Sequence, residues 1–271
     1  MSRMRATTNT KILRIDVSKG KAESVVDLIA QEVPLHVFLN KLLFVTILCS
    51  PVQLKELVLG HLLSEGIIKS PCDIDNIVFT DAQVCHVYFK NGIDLENKIR
   101  LATPFSRIVT SACNPQDNWP LPRLIDRLKL PRVNSKLHIK AQNILRSVKN
   151  LNLAGRVYRQ TGGVHVATIH DENGKTLALA EDIGRHNAVD KAIGIAASNN
   201  VDLSTCFLAV SGRLTGDMVL KAARTGLPIV ASQAAAIRSG VQVAKLCQVT
   251  IIGFTRGNRM NVYTYPSRIT Y

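Results

Sequence analysis

The feature that most constrains the fold of this chain is a regular alternation of apolar runs and helical patterns that begins at Gly163. The apolar runs are short, and the segments between them place apolar residues at helical spacing. Apolar strands separated by helices predict βαβ units and a substantially parallel sheet covered on both faces. The predicted strands are 164–169, 176–182, 206–211, 228–232 and 249–254, and the predicted helices are 185–197, 215–224 and 234–247.

The first hundred residues predict a smaller, β-rich lobe with one helix. Asn40 and Lys41 fall where a hairpin turn is expected between two apolar runs. Ser50 is a good N-cap and Pro51 suits the first helical position, so a helix is predicted to start there and to end at Gly66. Strands are predicted within 11–15, 33–48 and 74–102.

The pattern divides the chain into three parts. Prolines are concentrated between positions 103 and 131, which predicts a connecting loop, and a helical pattern at 137–148 follows it. The last apolar stretch, MNVYTYP, is typical of an edge strand. The predicted parts are a β-rich lobe (1–105), a loop region that carries Cys113 (106–135) and an α/β domain (136–271).

Small and cationic residues follow the predicted strands of the α/β domain. In open α/β sheets, ligands bind beyond the carboxyl ends of the strands, where helix N-termini present free N–H groups. Glycine lets the backbone approach a ligand, and arginine binds phosphate with two parallel hydrogen bonds. These segments therefore indicate a cleft for an anion or nucleotide. The four segments are 181–187, 211–213, Ser232-Gln233 and 254–259. Their candidate residues are Asp182, Arg185 and His186, then Ser211, Gly212 and Arg213, and finally Phe254, Thr255, Arg256, Gly257, Asn258 and Arg259.

Each of these segments also has a simpler interpretation. The run from Ser211 to Arg213 could be an ordinary helix start, and residues 255–259 could be a solvated turn. His186 could be paired with Asp182 or Asp190, which lie four residues away on the same helical face. The predicted convergence on one sheet edge favours a cleft over these local alternatives.

The formal net charge of +14 predicts attraction to polyanions, which include nucleic acids, phosphorylated cofactors and acidic protein surfaces. Aromatic residues make up only 5% of the chain, and no basic run is interleaved with them, which disfavours a nucleic-acid-binding protein. No apolar run is long enough to span a bilayer, and the N-terminus lacks the apolar core of a secretory signal. The expected location is the cytoplasm, without membrane attachment.

The six cysteines are scattered, with no C-x-x-C pair, and free thiols are expected in a reducing compartment. Cys113 lies in the proline-rich loop near Arg107, where positive charge favours the reactive thiolate. Cys85, Cys206 and Cys247 fall in apolar patterns typical of a core. No zinc-binding spacing is present, and no metal site is expected.

Several motifs are distributed along nearly the whole chain. They are Glu32-Val33-Pro34-Leu35, Leu59-Gly60-His61-Leu62-Leu63-Ser64-Glu65-Gly66, Thr161-Gly162-Gly163-Val164-His165, Glu181-Asp182-Ile183-Gly184-Arg185-His186-Asn187, Ser211-Gly212-Arg213 and Asn261-Val262-Tyr263-Thr264. In sequence and in order, these motifs resemble those of the FdhD family of formate dehydrogenase accessory proteins.

The resemblance implies a C-terminal domain with a cytidine-deaminase-like α/β fold that lacks the zinc. It implies a sulfurtransferase that accepts persulfide sulfur from a cysteine desulfurase and delivers a sulfurated molybdenum bis-guanine-dinucleotide cofactor to formate dehydrogenase, with GDP as a mimic of the cofactor. The persulfide cysteine corresponds to Cys113, and the cofactor-binding segment corresponds to 254–259. His165, Glu181 and Asp182 would line the cleft. A homodimer is left open.

One departure from the family pattern leaves two hypotheses. The family shows two cysteines in the loop, but this chain keeps only Cys113 and has Gln116 at the second position. A persulfide needs one sulfur nucleophile, so carriage at Cys113 is the leading hypothesis. The alternative is a non-catalytic chaperone that binds the molybdenum cofactor or GDP and has lost sulfur transfer.

Overall fold

The computed structural model describes residues 5–90 and 130–271. In the N-terminal part, two long strands form a separate hairpin, and four further strands form a sheet in the order β4-β3-β6-β5. One helix, α1, follows β4. The bounds are β1 (Thr7–Asp16), β2 (Lys21–Ala30), β3 (Val33–Leu39), β4 (Leu42–Cys49), α1 (Leu54–Ser64), β5 (Ile74–Phe79) and β6 (Val84–Phe89).

Up to residue 90 the lobe agrees with the predicted strands but not with the predicted helix start. The predicted strand residues 91–102 and the loop region up to 129 lie outside the described residues. Asn40 and Lys41 form the turn between β3 and β4, with φ of 45° and 74°. Helix α1 begins at Leu54 rather than at Ser50. The reason is tertiary: Ser50 is buried, and its backbone N–H donates to the Asp182 carboxylate, 132 positions away. Strand β2 is a structural finding that the sequence pattern did not predict.

The C-terminal part is built on a six-stranded sheet in the order β13-β12-β11-β10-β8-β9. A second small pair, β7 with β14, ties the end of the chain to the start of α2. The bounds are β7 (Ile139–Lys140), α2 (Ala141–Ala154), α3 (Arg156–Thr161), β8 (His165–His170), β9 (Thr176–Asp182), α4 (Arg185–Ser198), β10 (Phe207–Val210), α5 (Gly216–Arg224), β11 (Ile229–Ser232), α6 (Arg238–Cys247), β12 (Thr250–Arg256), β13 (Arg259–Val262) and β14 (Ile269–Thr270).

The sheet is mixed, so the expectation of a substantially parallel sheet is only partly correct. Strands β10, β11 and β12 are parallel, whereas β8 runs antiparallel to both β9 and β10, and β13 runs antiparallel to β12. The physical reason is the short turn at 171–175, which joins β8 to β9 as a hairpin without a crossover helix. Two helices also start later than predicted, α2 at Ala141 and α6 at Arg238.

Both faces of the sheet are covered, as the apolar strands predicted. Alternate residues along β10 belong to different cores: Leu208 and Val210 pack with α4, α5 and α1, whereas Phe207 and Ala209 pack with α2. The first core extends into the lobe and includes Leu57 of α1. The fold is therefore mixed α/β, and the cytidine-deaminase-like description stays a prediction. Within the part of the chain that the structure describes, no helix is both long and apolar enough to cross a membrane.

Helices α1 and α4 cross at two glycines that face each other's backbone. A Cβ added to Gly60 would lie 1.7 Å from the carbonyl oxygen of Asp190, and one added to Gly194 would lie 1.9 Å from that of Glu56. Neither position can hold a side chain without separating the helices. The lobe and the α/β domain are therefore joined by direct backbone contact.

A buried charge cluster joins α1, α4 and α5 beside this crossing. The Lys221 ammonium lies 3.0 Å from the Asp190 carboxylate and 2.8 Å from that of Glu65, and it donates to the Ser64 hydroxyl at 3.0 Å. His61 Nδ1 lies 3.0 Å from the Asp190 carboxylate. Burial alone would raise the pKa of Asp190, but the Lys221 ammonium and the His61 ring lower it to about 2.

We expect acid to weaken the protein through Asp190. Its pKa is lowered from 3.8 to about 2, so its contribution to the free energy of unfolding is complete above the unfolded value. That contribution is lost as the pH falls from about 4 towards 2. Urea unfolding at about pH 5 and about pH 3 measures the loss. In Asp190→Asn the free energy of unfolding should fall less steeply over the same interval, and equal slopes would contradict the expectation.

Candidate functional site

The predicted site segments meet at one edge of the six-stranded sheet. Strands β9, β10, β11 and β12 all end there, and β8 begins there because it runs in the opposite direction. The strand register shows this directly, since His165 pairs with Asp182, Val210 with Ser232 and Ala231 with Ile252. Helices α4, α5 and α6 start at the same edge. The edge therefore combines strand ends with three helix N-termini, an arrangement suited to anions.

A cleft of about 350 Å³ opens at this edge. Of the residues predicted to form the site, His165 and Ser211 line it. Ile183 and Gln233, which lie in the predicted strand-end segments, line it too, whereas sequence reasoning did not place the remaining lining residues in the site. The complete lining is Asn152, Tyr158, Gly162, Gly163, Val164, His165, Ile183, Ser211 and Gln233.

His165 and Ser211 form a hydrogen-bonded pair in the cleft. The His165 Nδ1 atom lies 3.1 Å from the Ser211 hydroxyl, which also accepts the backbone N–H of Val166 at 3.1 Å. Burial lowers the pKa of His165, and the positive charges of Arg185 and His186 lower it further. The imidazole is therefore neutral near pH 7.

Asp182, predicted to line the cleft, is instead enclosed in the protein. Its carboxylate lies 2.6 Å from the Lys191 ammonium, and neither side chain is exposed to solvent. It also accepts the backbone N–H groups of Ser50 at 3.0 Å and Gly184 at 2.9 Å. Asp182 therefore fixes the loop that carries Ile183 into the cleft and ties this loop to the lobe.

Glu181, the other acidic residue expected in the cleft, is also used inside the protein. Its carboxylate accepts the backbone N–H groups of Val157 at 3.0 Å and Tyr158 at 2.7 Å, at the start of α3. Backbone N–H groups in the first turn of a helix have no acceptor within the helix, so the carboxylate supplies one. Glu181 thus places Tyr158 on the wall of the cleft, a role that its sequence neighbours did not indicate.

His186 pairs with a residue that the sequence did not suggest. Its Nε2 lies 2.7 Å from the Asp217 carboxylate on the first turn of α5, rather than near Asp182 or Asp190. Burial would raise the pKa of Asp217, but the hydrogen bond and charge of His186 hold it well below its usual range. The pair fastens the N-terminus of α4 to that of α5.

Arg185 lies against the turn that follows β10. A Cβ added to Gly212 would lie 3.0 Å from the Arg185 Cβ, so a side chain at this position would crowd Arg185. Among the described residues, the buried Nε of Arg185 has no hydrogen-bond partner. Arg213 is exposed next to the same turn. Two guanidinium groups thus stand beside the cleft.

The segment after β12 forms a turn at the same edge. The Arg256 Nε donates to the Gln233 carbonyl at 2.9 Å, and its guanidinium lies 5.8 Å from the centre of the Phe254 ring. Gly257 has φ of 58°, and Asn258 and Arg259 are exposed. Thr255 is buried, and its hydroxyl has no partner within the described ranges. The segment therefore borders the cleft through Gln233 and presents cationic side chains to solvent.

Gln233 is held by a partner on the opposite side of the sheet edge. Its side-chain amide and that of Asn152, on α2, exchange hydrogen bonds at 3.0 Å and 3.3 Å. This pair closes one side of the cleft. No pattern in the sequence pointed to Asn152, because its partner is 81 positions away.

Comparison with known proteins decides the family. The model of the FdhD/NarQ family matches residues 30–270. The chain belongs to the FdhD/NarQ family. Two relatives named sulfur carrier protein FdhD are 32% identical over 98% of this chain and 98% of their own length (Bacillus licheniformis) and 33% identical over 93% and 94% (Bacillus subtilis).

A solved structure supports the FdhD/NarQ assignment at the level of the fold. It is a crystal structure from Desulfotalea psychrophila, described as that of a formate dehydrogenase accessory protein. It superposes with a TM-score of 0.75 and 25% sequence identity, and the match covers 98% of this chain and all of the other. The FdhD/NarQ model match begins at residue 30, so it leaves out the N-terminal hairpin except for its last residue, Ala30.

The cysteines of this FdhD/NarQ chain fall into three groups. Cys113 lies outside the described residues. Cys49, Cys85, Cys206 and Cys247 are buried, and burial raises the pKa of the Cys85 thiol to about 12 and that of Cys247 to about 11. Cys72 is exposed. Residues 5–90 and 130–271 contain no group of three or more histidine, cysteine and acidic side chains that could hold a metal ion.

Proposed function

We propose that this chain is a sulfur carrier that accepts persulfide sulfur from a cysteine desulfurase on Cys113. It then sulfurates the molybdenum bis-guanine-dinucleotide cofactor for the maturation of formate dehydrogenase. The observation that carries the proposal is the match, over nearly the whole chain, to relatives named sulfur carrier protein FdhD. The family model supports the same conclusion over residues 30–270.

The acceptance step is a thiol–persulfide exchange. The Cys113 thiolate attacks the outer sulfur of the persulfide on the desulfurase, and a new S–S bond forms on Cys113. The S–S bond on the desulfurase breaks, and its cysteine leaves as a thiolate. No external oxidant or reductant is needed, because the oxidation state of the transferred sulfur atom does not change.

The cleft supports the cofactor half of the proposal. A guanine dinucleotide carries phosphates, and this sheet edge offers Arg213, Arg256 and Arg259 as exposed cations. The N-cap of α4, Gly184, provides no side-chain hydrogen bond, which leaves backbone N–H groups for an anion. The molybdenum cofactor is cargo in this proposal rather than a resident group.

Mass spectrometry of the intact chain tests the sulfur step. After incubation with a cysteine desulfurase and cysteine, we expect an added mass of one sulfur atom on Cys113, because the thiolate is the nucleophile and Arg107, six positions earlier in the sequence, would favour it. Cys72→Ser is the matched control, since Cys72 is an exposed thiol outside the cleft, and it should load normally. Loading that disappears in Cys72→Ser and persists in Cys113→Ser would defeat the assignment.

The alternative function is a cofactor chaperone without sulfur transfer, and Gln116 in the position of the second cysteine favours it. The two functions differ in the consequence of Cys113→Ala. A chaperone would still bind GDP and would mature formate dehydrogenase fully in this variant. A sulfur carrier would still bind GDP but would leave formate dehydrogenase inactive.

A further inference from the structure

The hydrogen bonds around Ser211 determine where its proton can go. The Ser211 hydroxyl oxygen accepts the backbone N–H of Val166 at 3.1 Å, so this bond does not use the hydroxyl proton. Within hydrogen-bond distance, the acceptor found for that proton among the described residues is the Nδ1 of His165, at 3.1 Å. A hydroxyl that donates to Nδ1 requires this nitrogen to be unprotonated.

Burial first, and then the charges around it, lower the pKa of His165 and keep the ring neutral near pH 7. Arg185 and His186 on α4 lower the pKa of His165, and Asp182 at the end of β9 opposes them. The Asp182 carboxylate is already neutralised by Lys191 at 2.6 Å. A neutral imidazole with an unprotonated Nδ1 carries its proton on Nε2. Among the described residues, no partner is found for Nε2, and the ring lines the cleft.

We propose that Ser211 is a positioning residue that fixes His165 in the Nε2–H tautomer, so that His165 donates a hydrogen bond to an oxygen acceptor of the ligand in the cleft. The inference rests on the proposed nucleotide-binding function and assigns a specificity-determining role within it. A neutral donor favours only those ligands that have an acceptor atom in the right position, whereas the neighbouring arginines attract any anion. The acceptor is either a phosphate oxygen or a base carbonyl.

Two substitutions of His165 test the roles of its two ring nitrogens separately. The amide nitrogen of glutamine takes the place of Nε2, whereas that of asparagine takes the place of Nδ1. With GDP as the probe in calorimetric titrations of the full chain, His165→Gln should bind within about twofold of the unsubstituted protein. His165→Asn should bind roughly three- to tenfold more weakly, the loss expected for one neutral hydrogen bond. The same titrations are repeated with inorganic pyrophosphate. If His165→Asn also binds pyrophosphate more weakly than His165→Gln does, the acceptor is a phosphate oxygen. If the two variants differ only in their affinity for GDP, the acceptor belongs to the nucleoside.

The tautomer is measured without ligand. In ¹⁵N-histidine-labelled protein near neutral pH, the His165 ring should show a protonated Nε2 and an unprotonated Nδ1, and His165→Gln assigns the signal by its disappearance. Ser211→Ala should shift this signal towards a mixture of tautomers and weaken GDP binding. Ser211→Thr, which retains the hydroxyl, should restore both.

The outcomes of these experiments distinguish failure of the proposed donor role of His165 from failure of the proposed nucleotide binding. If the unsubstituted protein does not bind GDP, the nucleotide-binding function fails and the donor role fails with it. If GDP binds but the Gln and Asn variants lose affinity equally, the donor role alone is overturned. A protonated Nδ1 in the free protein would overturn the role of Ser211 whatever the affinities are.

Discussion

Gly60→Ala is expected to lower the free energy of unfolding by about 3 kcal/mol or more, at the upper end of the cost of overpacking a core. The added Cβ would lie 1.7 Å from the carbonyl oxygen of Asp190, and backbone cannot move aside as a flexible side chain can. Helices α1 and α4 must therefore separate, and the buried charges beside the crossing lose their geometry. Urea denaturation followed by circular dichroism measures the change.

The matched control is on the same helix. Lys55 is exposed on α1, and Lys55→Ala should change the free energy of unfolding by less than about 0.5 kcal/mol. Gly194→Ala tests the crossing from the other helix and should cost about as much as Gly60→Ala, since its Cβ would meet the Glu56 carbonyl at 1.9 Å. Similar stabilities for Gly60→Ala and Lys55→Ala would show that the helices are not in backbone contact.

Asp182→Ala is expected to cost about 3–5 kcal/mol of the free energy of unfolding, the range for removing one partner of a buried ion pair. The Lys191 ammonium would remain wholly buried without its carboxylate, and the backbone N–H groups of Ser50 and Gly184 would each lose an acceptor. The loop before α4 would also lose its link to the lobe. Chemical denaturation gives the stability.

Asp27→Ala is the control variant, because it removes an exposed carboxylate instead of a buried one. Asp27 forms an exposed ion pair with Arg14 at 3.7 Å, and its side chain is 44% exposed. Exposed pairs contribute about 0–1 kcal/mol, so this variant should remain close to the unsubstituted protein in stability. An Asp182→Ala variant no less stable than Asp27→Ala would refute the role of the buried pair.

Local patterns predicted most strands and helices of the α/β domain, because burial on both faces leaves a strong apolar signal. Features that depend on distant residues were missed. Helix α1 starts at Leu54 because Ser50 bonds to Asp182, far along the chain. The hairpin strand β2 has mostly exposed residues, so it lacks a buried face that a periodic pattern could reveal.

The candidate site shows the same division between local and distant causes. The rule that ligands bind at strand ends located the edge where Ser211 and Arg256 lie, since it depends only on strand direction. The structure adds Tyr158 and Asn152, which reach the cleft through pairings with Glu181 and Gln233. Such partners cannot be found from spacing, because each pairing joins separate elements. Cys113 stays a prediction, since it lies outside the described residues.

The contacts of α1 with the rest of the protein have a consequence for synthesis on the ribosome. The Ser64 carbonyl accepts a hydrogen bond from Arg224, which is 160 residues later in the chain. At about 5–20 residues per second, roughly 8–32 s pass between the synthesis of these two positions. Until α4 (Arg185–Ser198) and then α5 (Gly216–Arg224) have been synthesised, the apolar face of α1 has no partner to cover it, so we expect the nascent lobe to be prone to aggregation during this interval.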